Sequence, residues 1–135
     1  MKYWLVKTEP GTYAWHDLVR EQEATWDGIR NYQARNNLQA MATGDKVFIY
    51  HTGEERAIVG IATVTAAAFP EPGAPDWFAI KLAPQSKLDH PVTLAGIKAD
   101  PSLAAMSLIR LGRLSVHPVE AAEFKRVVQR SAQAS

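Results

Sequence analysis

The sequence predicts an α+β domain in which a small curled sheet or barrel of about five or six short strands is flanked by helices. Two runs that are apolar on both faces, 46–51 and 57–64, indicate strands in the middle of a sheet. Helical segments stand between strands without regular alternation, which argues against a doubly wound parallel sheet. We expect residues 1–135 to form a single domain, since this length supports one core.

The first part of the chain predicts one strand and two helices. Lys2–Lys7 is rich in β-formers, and Pro10-Gly11 ends this strand. Apolar residues recur at helical spacing over Ala14–Gln22, with Thr12 as the expected N-cap. Arg35–Met41 predicts a short helix. The segment between the two helices is irregular in this prediction.

The middle of the chain predicts a hairpin. The turn signal Gly44-Asp45 leads into the strand Lys46–His51, and Thr52–Glu55 predicts the hairpin turn. The chain returns as Ala57–Val64. Gly60 within that strand indicates a bulge or a close backbone approach.

Prolines and short apolar runs predict a loop, a strand and two helical turns between residues 70 and 101. Residues 70–75 predict a proline-rich loop before a strand at Trp77–Leu82. Leu94–Lys98 predicts a helical turn, and Asp100 is expected to cap another that begins at Pro101.

A strand and an amphipathic helix are predicted to close the chain. Leu114–Val116 is the expected last strand. Pro118–Arg130 follows as a helix that turns Phe124, Val127 and Val128 inward.

Composition limits the function classes. The net charge of +1 argues against a large non-specific nucleic-acid surface, so we expect any nucleic-acid contact to hold one nucleotide in a pocket. The chain has no cysteine, which excludes disulfides and thiolate chemistry. Met1–Trp4 runs directly into strand-like sequence without an apolar signal core, and no apolar window approaches the roughly 20 residues that cross a bilayer. We therefore expect a cytoplasmic protein that does not engage membranes.

The segment Trp26–Asn37 is the most informative part of the chain. It combines aromatic, arginine and amide side chains with almost no aliphatic residue. Amides and guanidinium groups bind base edges or phosphate, and aromatic rings stack on a base. The alternative is a polar loop that runs into a capped helix.

Candidate site residues follow from this segment and from the ends of predicted strands. The candidates for a nucleobase pocket are Trp26, Arg30, Asn31, Tyr32, Tyr50, His51 and Trp77. The candidates for a phosphate-binding rim are Arg35, Asn36, Ser107, Arg110 and Arg113. We expect Trp26, Asn31, Tyr32 and His51 to line one concave site. Core packing of the aromatics, helix capping by Asn31 and solvation of Arg110 are the structural alternatives.

No catalytic, metal or cofactor signature is present in the sequence. It contains no Walker loop, no dinucleotide-binding glycine pattern and no His-Glu-x-x-His helix. The histidines His16, His51, His90 and His117 are far apart, so we expect no metal site and no cofactor. Two rival functions remain open: a small hydrolase or transferase that uses Glu9 or His51 on a nucleotide-like molecule, and a protein-interaction module.

Several blocks, in order, resemble the EVE domain. They are 2–10, 26–36, 44–51, 91–94, 97–101 and 113–118, so the resemblance covers nearly the whole chain. The sequence departs from the family pattern at Ala14, where a capping serine is common, and at Leu111-Gly112, where a polar pair is expected.

The resemblance implies a fold and a function. EVE domains belong to the PUA-like group with the PUA, ASCH and YTH domains, which implies a mixed-strand pseudo-barrel flanked by helices. It also implies a non-catalytic pocket for a single modified base in DNA or RNA, or for a free nucleotide-like ligand. Fold kinship alone does not transfer function.

Overall fold

The computed structural model describes residues 1–133, which form a six-stranded mixed sheet flanked by helices. The strands are β1 (Tyr3–Thr8), β2 (Ala24–Trp26), β3 (Lys46–His51), β4 (Ala57–Glu71), β5 (Ala74–Thr93) and β6 (Val116–Val119). The helices are α1 (Trp15–Glu21), α2 (Tyr32–Ala40), α3 (Leu94–Lys98), α4 (Ser107–Arg110) and α5 (Ala121–Ala132), with a 3-10 helix at Pro101–Leu103.

The strand order is β2-β5-β4-β3-β1-β6, and the sheet is not closed by hydrogen bonds between its outer strands within the described residues. β1 pairs parallel with β3, whereas the other neighbours pair antiparallel. The predicted α+β class is therefore confirmed, as an open mixed sheet with helices on both faces.

The central strands bury side chains on both faces, as their apolar sequence predicts. In β3, Val47 and Ile49 belong to one core cluster, and Phe48 and Tyr50 belong to the other. The first cluster includes residues of α1 and α2, and the second includes residues of α3, α4 and α5. Burial of apolar surface on both sides of β1 and β3 fixes the sheet that carries the candidate site.

The N-termini of the first two helices differ from the prediction. Thr12 is not the N-cap of α1, because Ala14 occupies that position and its backbone N–H donates to the Asp17 carboxylate at 2.8 Å. α2 begins at Tyr32, three residues before the predicted start, because the Asn31 side chain accepts the Ala34 N–H at 3.0 Å.

The long β4–β5 hairpin is the largest departure from the predicted elements. Residues 70–75 are not a separate loop, since the ladder pairs Pro70 with Phe78 and Glu71 with Ala74. β5 then runs to Thr93 with several bulges, far beyond the predicted end at Leu82. Repeated bulges let prolines and polar residues occupy a strand that no simple alternation marks.

Two further strands lie outside their predicted positions. β2 (Ala24–Trp26) was not predicted, and it pairs with β5 through Trp26 and Ile80. β6 begins at Val116, where the predicted last strand ended. α5 consequently starts at Ala121, and it turns Val127 into the core with Phe124 and Val128 partly buried.

Gly60 lies at a bulge and also at a close approach. The β4–β5 register shifts between Ile58 and Gly60. A Cβ atom on Gly60 would lie 2.6 Å from the Trp15 ring. The indole therefore packs flat on the strand where only glycine leaves room.

None of the helices formed by residues 1–133 has the length and apolar character needed to cross a membrane.

Candidate nucleic-acid interface

A cavity of about 560 Å³ opens where the end of β1 and β2 meet the segment before α1 and the last residue of α1. We call it the aromatic cavity. It is lined by residues 7–9 at the end of β1, by Thr12 and Tyr13, by Glu21 and by residues 23–27 and Ile29. Its volume falls within the range of about 300–1,000 Å³ that is typical of small-ligand sites.

Two aromatic rings form one wall of the aromatic cavity. Trp26 is 9% exposed at the end of β2, and it packs in the first core cluster while also lining the cavity. The Tyr13 ring meets the indole edge-on, with centroids 5.8 Å apart. The cavity therefore offers an immobilised indole, which is the group that stacks on a flat heterocycle.

The aromatic cavity is rimmed by carboxylates, most of which already have partners. Glu9 accepts the Gly11 N–H at 2.9 Å, Glu21 accepts the Tyr13 hydroxyl at 2.6 Å, and Glu23 accepts the Thr65 hydroxyl at 2.8 Å. Burial and the hydrogen bond to Glu21 raise the pKa of Tyr13. Asp27 forms neither a hydrogen bond nor an ion pair with any residue that the structure describes, so its carboxylate is available to a donor in the cavity.

Lys7 is the one cation lining the aromatic cavity among the described residues. Its Nζ donates to the Gly112 carbonyl at 2.6 Å and lies 5.7 Å from the Tyr50 ring centroid. Burial lowers the pKa of Lys7, and no carboxylate of residues 1–133 forms an ion pair with it.

His51 and Tyr50 do not lie in the aromatic cavity, contrary to the prediction. The backbone N–H of Trp15 donates to His51 Nε2 at 3.0 Å, so Nδ1 carries the proton and donates to Glu55 at 2.7 Å. Both ring nitrogens are therefore occupied by contacts within the protein, one with the start of α1 and one with the β3–β4 connection. Tyr50 is buried and faces a second, smaller concavity.

Tyr32, Trp77, Arg30 and Arg35 form a separate surface, the stacked cluster. The rings of Tyr32 and Trp77 stack with centroids 5.1 Å apart, and Tyr32 is 66% exposed. Arg35 lies 4.9 Å from the Tyr32 ring and donates to the Asp76 carbonyl at 2.9 Å. Tyr32 and Trp77 therefore do not line the same cavity as Trp26.

Arg30 is held on this surface by an ion pair. Its guanidinium donates to both Glu71 oxygens, at 2.7 and 3.1 Å, and lies 5.3 Å from the Trp77 ring. This contact raises the pKa of Arg30 and lowers that of Glu71. A bidentate pair of this kind leaves Arg30 little capacity for a base or a phosphate.

Asn31, Arg110 and Arg113 line an open groove of about 350 Å³, the arginine groove. Asn31 also caps α2, so its side-chain oxygen is already engaged. Arg110 donates through Nε to the Ala105 carbonyl at 2.9 Å. Asn36, the other candidate in α2, is exposed outside this groove.

Ser107 is buried, and its hydroxyl is engaged within the protein although the residue borders a cavity with Lys2 and Arg110. Its hydroxyl donates to Nδ1 of His117 at 2.7 Å, because His117 Nε2 donates to the Leu114 carbonyl at 2.7 Å. Burial, followed by the positive charge of Lys7, lowers the pKa of His117 to about 4. The pair is a neutral structural contact of the core.

Of the predicted pocket residues, the structure thus places only Trp26 in the aromatic cavity. Arg30, Tyr32 and Trp77 lie together in the stacked cluster, and the others lie elsewhere. Sequence reasoning missed Lys7, Tyr13 and Asp27 as cavity residues. A signal existed, because Lys7 and Glu9 end a strand and Asp27 follows Trp26 in the informative segment. Within residues 1–133, no group of three or more His, Asp or Glu side chains is arranged to hold a metal ion.

Comparison with known proteins shows which family the chain resembles. The family model described as the EVE domain matches residues 2–130. Thymocyte nuclear protein 1 of Mus musculus is 40% identical over 81 residues, which cover 51% of this chain and 36% of that protein. The chain thus spans about a third of this curated relative's length.

Solved structures match over the whole chain. A crystal structure of an Agrobacterium tumefaciens protein has a TM-score of 0.94 and 38% identity, covering 100% of this chain and 96% of its own. Human THYN1 protein in complex with 5-methylcytosine-containing DNA has a TM-score of 0.92 and 27% identity, covering 100% of both chains. An ASCH protein from Zymomonas mobilis, with a TM-score of 0.59 and 14% identity, shares the fold alone.

The match of one family model to nearly every residue, together with the shared fold, is specific enough to assign the family. The chain belongs to the EVE domain family.

Proposed function

We propose that this chain is a non-catalytic reader that holds a single modified nucleobase of DNA or RNA in the aromatic cavity. The observation that carries the proposal is Trp26, an indole fixed in the core whose surface lines a cavity large enough for a base. Each base–aromatic stack contributes about 1–3 kcal/mol. That gain offsets the cost of removing a base from its strand, which is a few kcal/mol and is lowest for an altered or unpaired base.

The cavity favours a base that carries an exocyclic amine. Carboxylates accept from the amino group of cytosine, and Asp27 is a carboxylate without an internal partner among the described residues. Ala24 and Ile29 add apolar surface to the same lining, which suits a methyl group. Because human THYN1 protein forms a complex with 5-methylcytosine-containing DNA, 5-methylcytosine is the first base to test here.

The site residues that we assign to this function are Trp26, Tyr13, Asp27 and Lys7. Among the earlier candidates, Arg110 and Arg113 remain proposed phosphate contacts, since both border the arginine groove. His51 and Ser107 are assigned structural roles, because their polar atoms contact the protein itself. We further propose that the protein acts in the cytoplasm, on RNA as well as DNA.

Equilibrium binding to a panel of modified and unmodified oligonucleotides and free nucleosides, at two salt concentrations, tests the proposal. We expect tighter binding to one modified base, and a preference that persists as salt rises. Trp26→Phe should weaken that preference, and Trp26→Ala should abolish it. A thermal melt of each variant is needed as a control, because Trp26 is also a core residue.

Uniform weak binding that disappears with salt would contradict the proposal and indicate a merely cationic surface.

A further inference from the structure

A second concavity, with a volume of about 230 Å³, lies beside the aromatic cavity and has the opposite charge character. We call it the basic recess. Lys7 of β1, Arg56 of the β3–β4 connection and Lys98 at the end of α3 line it, with Tyr50 and Gly112. Among the described residues, no carboxylate lines the basic recess. Three cations without an acid is a high local density for a chain whose net charge is only +1.

The cations of the basic recess have no ion-pair partners among residues 1–133. The Lys7 ammonium reaches only a carbonyl oxygen and the face of Tyr50. Burial raises the pKa of the Tyr50 hydroxyl, and the positive charge of Arg56 acts on it in the opposite direction, so Arg56 lies close enough to influence the centre of the recess. An anion would supply the charge that these groups lack.

The basic recess and the aromatic cavity are separated by a thin wall. Lys7 lines both spaces. Thr52 on the recess side donates to Glu9 on the cavity side at 3.3 Å, and a Cβ on Gly53 would lie 3.0 Å from the same carboxylate. If a nucleotide places its base in the aromatic cavity, the phosphodiester group next to that base would therefore lie at the basic recess.

We propose that the basic recess binds the phosphodiester group next to the base held in the aromatic cavity, through Lys7, Arg56 and Lys98. This inference rests on the proposed function and deepens it, because it assigns the path of the strand. The sugar–phosphate backbone of the bound strand would pass Gly112, which lines both the basic recess and the arginine groove. The two basic concavities would thus form one continuous track.

Replacing one phosphodiester of the oligonucleotide by an uncharged linkage tests the proposal. A methylphosphonate replaces the charged phosphodiester at one position at a time on either side of the modified base. In the wild-type protein, we expect one position to lower affinity by about tenfold, the size of a lost charge-assisted contact. In the double variant Arg56→Gln/Lys98→Gln, which keeps Lys7, that position should lose most of its effect, and the magnitude of the salt slope should fall by about 0.7–0.9.

Lys125→Gln is the matched control, since Lys125 is an exposed cation of α5 outside the basic recess. It should keep the methylphosphonate effect and the affinity of the wild type. Equal losses in the control and the double variant, or no position-specific effect in the wild type, would overturn the proposal. The ratio of affinities for modified and unmodified base should not change in the double variant.

Inorganic phosphate separates this proposal from the function on which it rests. In a titration followed by amide NMR, phosphate should shift Gly53, Arg56 and Gly112 in the wild type and the control but not in the double variant. Those shifts without selective oligonucleotide binding would leave a phosphate site and refute the reader function. Selective binding without those shifts, and without the methylphosphonate effect, would keep the reader function and refute the recess. Parallel titrations with the nucleoside and with its monophosphate show whether the basic recess binds a terminal phosphate as well as a phosphodiester within a strand.

Discussion

At the scale of single residues, the central feature is that Trp26 serves the core and the cavity at once. Its ring packs among buried residues, yet the same ring lines the aromatic cavity and is met edge-on by Tyr13. Packing on one side fixes the ring before a ligand arrives, which reduces the ordering cost of binding. In the proposed function, the neighbouring Asp27, which is exposed and unpaired among the described residues, selects which base edges are accepted.

Asp27→Asn should weaken binding of amine-bearing bases while leaving the fold intact. The change removes the charge of the proposed acceptor, and a hydrogen bond to a charged group contributes about 1.5–3 kcal/mol, or roughly 10- to 150-fold in affinity. Isothermal titration with oligonucleotides that carry cytosine-type or thymine-type bases measures the difference. Asp89→Asn, an exposed acid of β5, is the control. An equal effect on both base types would count against the assigned role of Asp27.

His117 should make stability depend on pH between about 4 and 6.5. Its folded pKa is about 4, below the ordinary value of 6.5, so the unfolded chain binds a proton first as the pH falls. Stability is complete above 6.5 and decreases by about 3 kcal/mol as the pH approaches 4. Chemical denaturation across this range measures the loss.

His117→Gln, which keeps a polar side chain beside Ser107, should flatten that dependence. The low pKa of Asp100, held down by its hydrogen bonds to Ser102 and Arg126, acts only at more acidic pH and does not overlap this window. An unchanged pH dependence in the variant would show that other groups titrate there.

The sequence predicted which residue types line the candidate site better than it predicted where their side chains point. The Trp26–Asn37 segment was singled out correctly as unusual, but its residues face different ways once α2 begins at Tyr32. Asn31 satisfies a helix N-terminus, and Tyr32 projects to solvent one residue later. His51 could not be placed from sequence, because its partners Trp15 and Glu55 belong to different segments.

At the scale of secondary-structure elements, the contact between Gly60 of β4 and Trp15 of α1 holds the helix on the sheet. The backbone N–H of Trp15, the first residue of α1, also donates to Nε2 of His51 in β3. The helix carries Glu21 and follows Tyr13, so its position fixes one side of the aromatic cavity. Its lack of a side-chain cap at Ala14 makes these tertiary contacts more important.

Gly60→Ala should destabilise the protein by about 1–3 kcal/mol, because the added methyl group would enter the space of the Trp15 ring at 2.6 Å. A thermal or chemical melt measures the change. Gly112→Ala is the matched control, since a Cβ there meets nothing within 4 Å and the backbone is not left-handed. Equal stability of the two variants would contradict the packing described here.

Asn31→Ala should cost about 1 kcal/mol through loss of the α2 cap, whereas Asn31→Asp should cost little because aspartate caps equally well. Denaturant midpoints distinguish the two variants. A direct role of Asn31 in base recognition would instead make both substitutions impair binding to the same degree.

Elements with regular apolar patterns were predictable, and elements set by distant pairing were not. β3 and the first part of β4 are continuous apolar runs, and their hairpin was predicted at the correct residues. β2 has only three residues and exists because β5 pairs with it. The outer part of the β4–β5 hairpin contains prolines and alanines that read as a loop until the cross-strand register is known.

At the scale of the whole molecule, charge is separated although the net value is close to zero. The aromatic cavity is bordered by Glu9, Glu21, Glu23 and Asp27, whereas the charged residues that line the basic recess and the arginine groove are all cations among the described residues. A modest net charge limits non-specific binding, and in the proposed function the local separation would orient a single strand at the cavity. The fold class was predictable because the family blocks span the chain, but this charge pattern required the structure.

A crystal structure with a short oligonucleotide that contains one 5-methylcytosine tests the central claim most directly. We predict the modified base inside the aromatic cavity, stacked on the Trp26 indole with its amino group at Asp27, and the adjacent phosphate in the basic recess. A base that stays stacked in its strand, or that lies on Tyr32 and Trp77 while the cavity is empty, would contradict the account.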